Sequence, residues 1–157
     1  MESSSQISNL YQFAEIELVY KSKVKASQRF KIGGSKDAYT ILVSSWDENK
    51  IGFVEQFKVI LLDRANKVLG IYEVSQGGTC GVVVDIKLIF AAALKASASG
   101  IILSHNHPSG NLTPSDADKL MTRRIKMAGE LLEIPVLDHI LVSGEGYLSF
   151  MEEGLMS

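Results

Sequence analysis

The chain has 157 residues, 46% of them hydrophobic and 22% charged, with one cysteine and a formal charge of −2. That length suits one domain with a real core, and the composition excludes wholesale disorder. A single thiol, Cys80, excludes a disulfide scaffold or all-cysteine metal knuckle, and the near-neutral charge argues against a dedicated nucleic-acid binder.

Residues 1–9 are polar and hold no apolar signal core, so a soluble, cytoplasmic protein with no membrane contact is expected. Ala14, Ile16, Leu18 and Tyr20 alternate with Glu15, Glu17 and Lys21, apart from apolar Val19, and predict a strand. Lys21, Lys23, Lys25, Arg29, Lys31 and Lys36 follow without an acid between them, a pattern that usually marks a solvated face. Gly33-Gly34-Ser35 opens a helix to about Trp46, with Ser35 as its cap and Ala38, Ile41 and Leu42 on its apolar side. Residues 53–62 and 68–74 are dense in Val, Ile, Leu and Phe around the turn Asp63-Arg64-Ala65-Asn66, which predicts a buried hairpin.

After a loop at Gln76-Gly77-Gly78-Thr79, Asp85 caps a helix to about Ala96. Residues 100–103 read as a short strand and 104–114 as a loop. Thr113-Pro114 then starts a helix with a core stripe of Ala117, Leu120, Met121, Ile125, Ala128 and Leu132. Pro135 stops it, and strands are expected at 136–142 and 147–151. Strands and helices mix along the whole chain, which makes the fold class α/β or α+β in one domain.

Two of the three histidines are His105 and His107. Residues two apart on an extended segment point to the same side with Cβ atoms roughly 6–7 Å apart, close enough for two imidazoles to meet on one cation. Asp118 follows on the first turns of the next helix, and the Pro108-Ser109-Gly110 loop lets the chain double back over the histidines. Two histidines and a carboxylate leave one tetrahedral position open, the arrangement of a catalytic zinc. The rival reading is a pair of loop histidines bonded to backbone. Ser115, three before Asp118, shares its helix face and is either a cap or a hydroxyl donor beside the metal. Cys80 reads as a small buried hydrophobe ahead of a fourth ligand or nucleophile, Asp138-His139 as structural hydrogen-bonding residues ahead of support for the metal ligands, and Asp116 as a first-turn acid serving the helix dipole.

The run Ser104-His105-Asn106-His107-Pro108-Ser109-Gly110, with Ser115 and Asp118 after it, resembles the JAMM (MPN/JAB) metal motif, ten residues separating the second histidine from the aspartate. It is most similar to the RadC branch of that superfamily. Glu55-Gln56-Phe57, Leu61-Leu62-Asp63, Gly78-Thr79, Thr122-Arg123-Arg124, Ala128-Gly129-Glu130-Leu131-Leu132 and Ile134-Pro135-Val136-Leu137-Asp138-His139 support it. The resemblance covers about residues 51–150. It implies a JAMM/MPN-type domain over 51–151, a mixed sheet flanked by helices with cytidine-deaminase-like architecture. Residues 1–50 would be an extension of strand plus helix packed on it, and 152–157 a tail. Longer RadC proteins carry a helix-hairpin-helix segment, and none is legible in residues 1–50.

The resemblance also assigns Glu55 as general acid/base, ahead of Glu48 and Glu73. The residues taken alone favour an exposed strand end for Glu55. The expectation is a zinc-dependent metallohydrolase of peptide or isopeptide bonds, with Zn2+ on His105, His107 and Asp118, and Glu55 and Ser115 as catalytic residues. The alternatives are a DNA-repair-associated module that binds or processes nucleic acid, supported only by the basic stretch and Lys119, Arg123, Arg124 and Lys126, and an inactive MPN scaffold. Oligomeric state has no signal in the sequence.

Overall fold

The apolar runs around the Asp63–Asn66 turn become β1 (Gln56–Leu62) and β2 (Val68–Gln76), an antiparallel hairpin in a five-stranded mixed sheet. The structure is a computed structural model that describes residues 14, 17, 19–77 and 83–157. The sheet is completed by β3 (Gly100–Asn106), β4 (Val136–Val142) and β5 (Tyr147–Ser149), in the order β2-β1-β3-β4-β5. β3 runs antiparallel to β1 and parallel to β4, and β5 returns antiparallel to β4. A parallel pair needs a crossover, here the helix α4 (Asp116–Leu131). The other helices are α1 (Ser35–Ser45), α2 (Glu48–Ile51) and α3 (Ile86–Lys95).

The central strands β1 and β3 are buried along their whole length, which is why residues 59–62 and 101–103 read as apolar runs. On one face Phe57, Val59, Leu61, Ile101 and Leu103 pack against Ile89, Phe90 and Ala93 of α3 and Ile125 of α4. On the other, Ile60, Leu62, Ile102, Ile140 and Val142 meet Ala38 and Leu42 of α1 and the adjoining Trp46. The result is three layers, α1, sheet, and α3 with α4. Ile32, Ala38, Leu42 and Trp46 thus belong to the core, and Met156 packs near the opposite cluster.

Several boundaries differ from expectation for local reasons. The strand expected at Ala14–Tyr20 falls largely outside the described residues. Of those described there, Val19 and Tyr20 lie in no strand, and the Tyr20 hydroxyl donates to the Leu69 carbonyl at 2.7 Å. Gly78, Thr79 and Cys80 also lie outside them. Gly34 rather than Ser35 is the N-cap of α1. Ser35 is the first helical residue, and its buried hydroxyl meets Glu152 and Tyr147. Strand β1 starts at Gln56 and not at Phe53, because residues 48–51 form α2, capped by Asp47. β5 stops at Ser149, where the chain enters a turn.

At Gly129 the helix α4 and the chain that follows it approach closely. A Cβ there would collide with the carbonyl oxygen of Ile134, whose own N–H donates to Gly129 O at 2.8 Å. Gly→Ala inside a helix ordinarily stabilises by about 0.5–1 kcal/mol. Here Gly129→Ala is expected to cost about 1–3 kcal/mol through overpacking, seen as a lowered melting temperature. An unchanged or raised midpoint would show that the 129–134 turn relaxes freely.

Candidate metal centre

The histidine pair stands at the end of β3. Ser104, His105 and Asn106 were expected in a loop, but β3 carries all three, because β1 pairs with it at Phe57↔His105 and β4 at Asn106↔Val142. Their polar side chains find partners inside the protein, so polarity does not end the strand. Ser104 Oγ donates to the Ile140 carbonyl, and the His107 N–H donates to the Val142 carbonyl, extending the line by one residue. His105 and His107 therefore share a face.

The chain then turns back through Gly110, whose φ of +83° is a left-handed conformation that suits glycine. Helix α4 begins at Asp116 with Ser115 as N-cap, not at Thr113-Pro114 as the proline suggested. Ser115 and Asp118 form a capping box: Ser115 Oγ accepts from the Asp118 N–H at 3.0 Å, and Asp118 Oδ2 accepts from the Ser115 N–H at 2.8 Å. The box that starts the helix also aims the carboxylate. The expected stripe shifts accordingly. Ala117 and Leu120 are exposed, and the buried side of α4 is Asp118, Thr122, Ile125 and Gly129.

His105 Nε2 lies 3.2 Å from His107 Nε2 and 3.4 Å from Asp118 Oδ1, and His107 Nε2 lies 3.3 Å from Asp118 Oδ2. Donors on a tetrahedral ion at about 2.0–2.1 Å stand about 3.3–3.4 Å from one another, and the two imidazoles, each facing a different oxygen of the one Asp118 carboxylate, converge at that spacing. Glu55, at the mouth of β1, brings a carboxylate oxygen to the same place. Among the described residues, Glu55, His105, His107 and Asp118 are the one such group, their donor atoms all within 4.8 Å of one another. Glu48, exposed on α2, and Glu73, which accepts from Gln56 Nε2, are not in it.

Hydrogen bonds fix which nitrogen each histidine offers. His107 Nδ1 lies 2.7 Å from the Asn111 carbonyl, which can only accept, so Nδ1 carries the proton and Nε2 presents its lone pair. For His105 the same conclusion follows through a chain. Thr122 Oγ1 donates to the Asp118 carbonyl at 2.8 Å and therefore accepts from His139 Nδ1–H at 2.6 Å. His139 Nε2 is then unprotonated and accepts from His105 Nδ1–H at 2.7 Å, leaving His105 Nε2 free. The chain starts on one site residue and ends on the backbone of another.

Burial pushes the His139 pKa well below the ordinary imidazole value, with the His105 ring adding to it, which keeps the ring neutral and suits it to accept. The Asp118 carboxyl is held well below the usual carboxylate range. Burial raises it, but the Ser115 N–H, which donates to its Oδ2, favours the ionised form. Phe57 stacks on His105 and meets His139 edge-on, and Phe150 stacks on His139, giving the two buried rings apolar walls.

The Asp138-His139 pair is thus split by the strand's alternation. Asp138 accepts from Ser149 Oγ and the Met151 N–H, a structural role, while His139 joins the site. Thr122 entered the sequence reading only within the run Thr122-Arg123-Arg124 and was given no role; its signal was the four-residue step from Asp118 along one helix face. Partners that orient a metal-binding histidine typically contribute 10- to 100-fold in affinity. Thr122→Val, nearly isosteric, is expected to weaken zinc binding by about 10- to 100-fold in a competition titration, with the fold intact. Unchanged affinity would show that the chain does not order His105.

The profile of the RadC-like JAB domain matches residues 32–155. A UPF0758 protein of Flavobacterium johnsoniae is 45% identical over 127 residues, covering 80% of this chain and 53% of its own. Another, of Thermotoga maritima, is 45% identical over 100 residues, 64% of this chain and 45% of its own. A third, of Chlorobaculum parvum, is 37% identical over 127 residues, 80% and 55% respectively. The chain spans about half the length of these relatives. No helix among the described residues is long and apolar enough to cross a membrane.

Proposed function

The chain belongs to the family of the RadC-like JAB domain, and from that premise we propose that it is a zinc-dependent hydrolase of peptide or isopeptide bonds. The observation that carries this reading is the convergence of His105, His107 and the Asp118 carboxylate through contacts of 3.2–3.4 Å, with the Glu55 carboxylate beside them. Two neutral imidazoles and one carboxylate suit zinc better than a hard cation, which prefers an all-oxygen set. When bound, zinc would supply Lewis acidity, lowering the pKa of a water toward about 7 and polarising the scissile carbonyl.

The protein's own residues would do the rest. Glu55 takes the proton of the attacking water on a carboxylate oxygen as the water's oxygen bonds to the carbonyl carbon. As the C–N bond breaks, Glu55 returns that proton to the leaving amine nitrogen. Ser115 Oγ accepts from the Asp118 N–H, so its own hydrogen remains free to meet the developing oxyanion. His139 and Thr122 hold His105 in the tautomer the site needs.

The test is hydrolysis of mixed peptide and isopeptide substrates by zinc-loaded protein, with and without a chelator. Cleavage that the chelator stops and zinc restores supports the reading. Zinc-loaded protein that cuts neither class would overturn it in favour of an inactive scaffold.

A further inference from the structure

Between the two histidines sits Asn106, and strand alternation sends its side chain to the opposite face of the sheet. There it is fully buried, and both of its polar atoms are engaged. Nδ2 donates to the carbonyls of Ile51 at 2.7 Å and Val54 at 2.8 Å, and Oδ1 accepts from the Gln56 N–H at 2.7 Å. These three groups bracket Glu55, two upstream and one directly after it.

The β1–β3 register begins at Phe57 opposite His105. Upstream of that pair, the Asn106 amide links residues 51–56 to β3. From the other side, the Gly77 N–H donates to the Glu55 carbonyl at 2.8 Å. Two hydrogens to give and an oxygen to accept, on one short planar group, is what two carbonyls and an N–H require. A leucine offers none of these, and an ionised aspartate only the acceptor.

We propose that Asn106 is the positioning residue for Glu55: it ties the turn bearing the carboxylate to the strand bearing the histidines, so that one rigid unit sets their separation. The proposal rests on the metal-hydrolase reading and adds to it a residue that touches neither metal nor substrate. Its logic is that of placement, where a misfit of about 1 Å is enough to cost on the order of 10²-fold in rate.

A double-mutant cycle read on cobalt tests it. Wild type, Asn106→Asp, Glu55→Gln and the double variant are titrated with Co2+, and stoichiometry, affinity and visible absorption are recorded. Asn106→Asp keeps the size and the acceptor while, when ionised, losing both donated hydrogens. The Glu55 oxygen lies within 4.8 Å of the three donor atoms, so its displacement is expected to alter the d–d spectrum of an ion they hold.

All four proteins are expected to bind about one cobalt. The Asn106→Asp spectrum should move away from wild type, and the same substitution should add no further change in the Glu55→Gln background. A spectrum equal to wild type overturns the proposal, as does an equal change in both backgrounds. Cobalt lost from Asn106→Asp but kept by wild type would show Asn106 holding the ligand strand itself, overturning the proposal and leaving the metal reading intact. Wild type that takes up no cobalt removes both. If the aspartate variant does not fold, Asn106→Ser, neutral and smaller, runs the same cycle.

Discussion

His107→Ala is expected to abolish tight zinc binding while the chain stays folded. His107 suits this test better than His105, because its side chain is 18% exposed at the strand's end, whereas that of His105 is fully buried against Phe57 and His139. Removing it therefore opens no core cavity. It leaves one imidazole and one carboxylate, and two ligands rarely hold zinc against competing water. Structural zinc sites bind with about 10–16 kcal/mol in all, so one ligand carries roughly 3–4 kcal/mol, or about two to three orders of magnitude in affinity. Equilibrium dialysis against a chelator of known affinity reads this directly. A variant that keeps a full equivalent of zinc would place the ligands elsewhere.

Glu55→Gln should do the opposite, keeping the zinc and losing the reaction. Glutamine has the same size, so the turn held by Asn106 and Gly77 is undisturbed, but an amide cannot take a proton from water. A positioned acid/base group typically contributes 10²–10⁴, and a loss of hydrolysis rate on that order is expected. Its donor atom sits within 4.8 Å of the other three, close enough to work through one water. Zinc lost along with the rate would make Glu55 a ligand instead of a base.

The two outcomes bear on features that were not equally visible in the sequence. His105, His107 and Asp118 were legible because their spacing is local: strand alternation sets the first pair and a short turn brings the helix start back. The layered α/β fold was legible for the same kind of reason, in apolar runs of strand length alternating with helical stripes. Glu55 was not legible from periodicity, since a carboxylate entering a strand resembles an exposed end, and only the family resemblance singled it out. The long-range partners were hidden as well. His139 lies 34 residues from His105 and 17 from Thr122, and only the parallel pairing of β3 with β4 beneath α4 brings the three together. The stripe of α4 was misread because its buried side includes Asp118 and Thr122, polar residues that a hydrophobic pattern passes over.

Metal analysis of the wild-type protein, purified without a histidine tag or added metal, tests the central claim most directly. Close to one zinc per chain, removed by a chelator and restored by zinc, is the expected result. Protein that carries no divalent metal, and binds none when zinc is supplied, would contradict it.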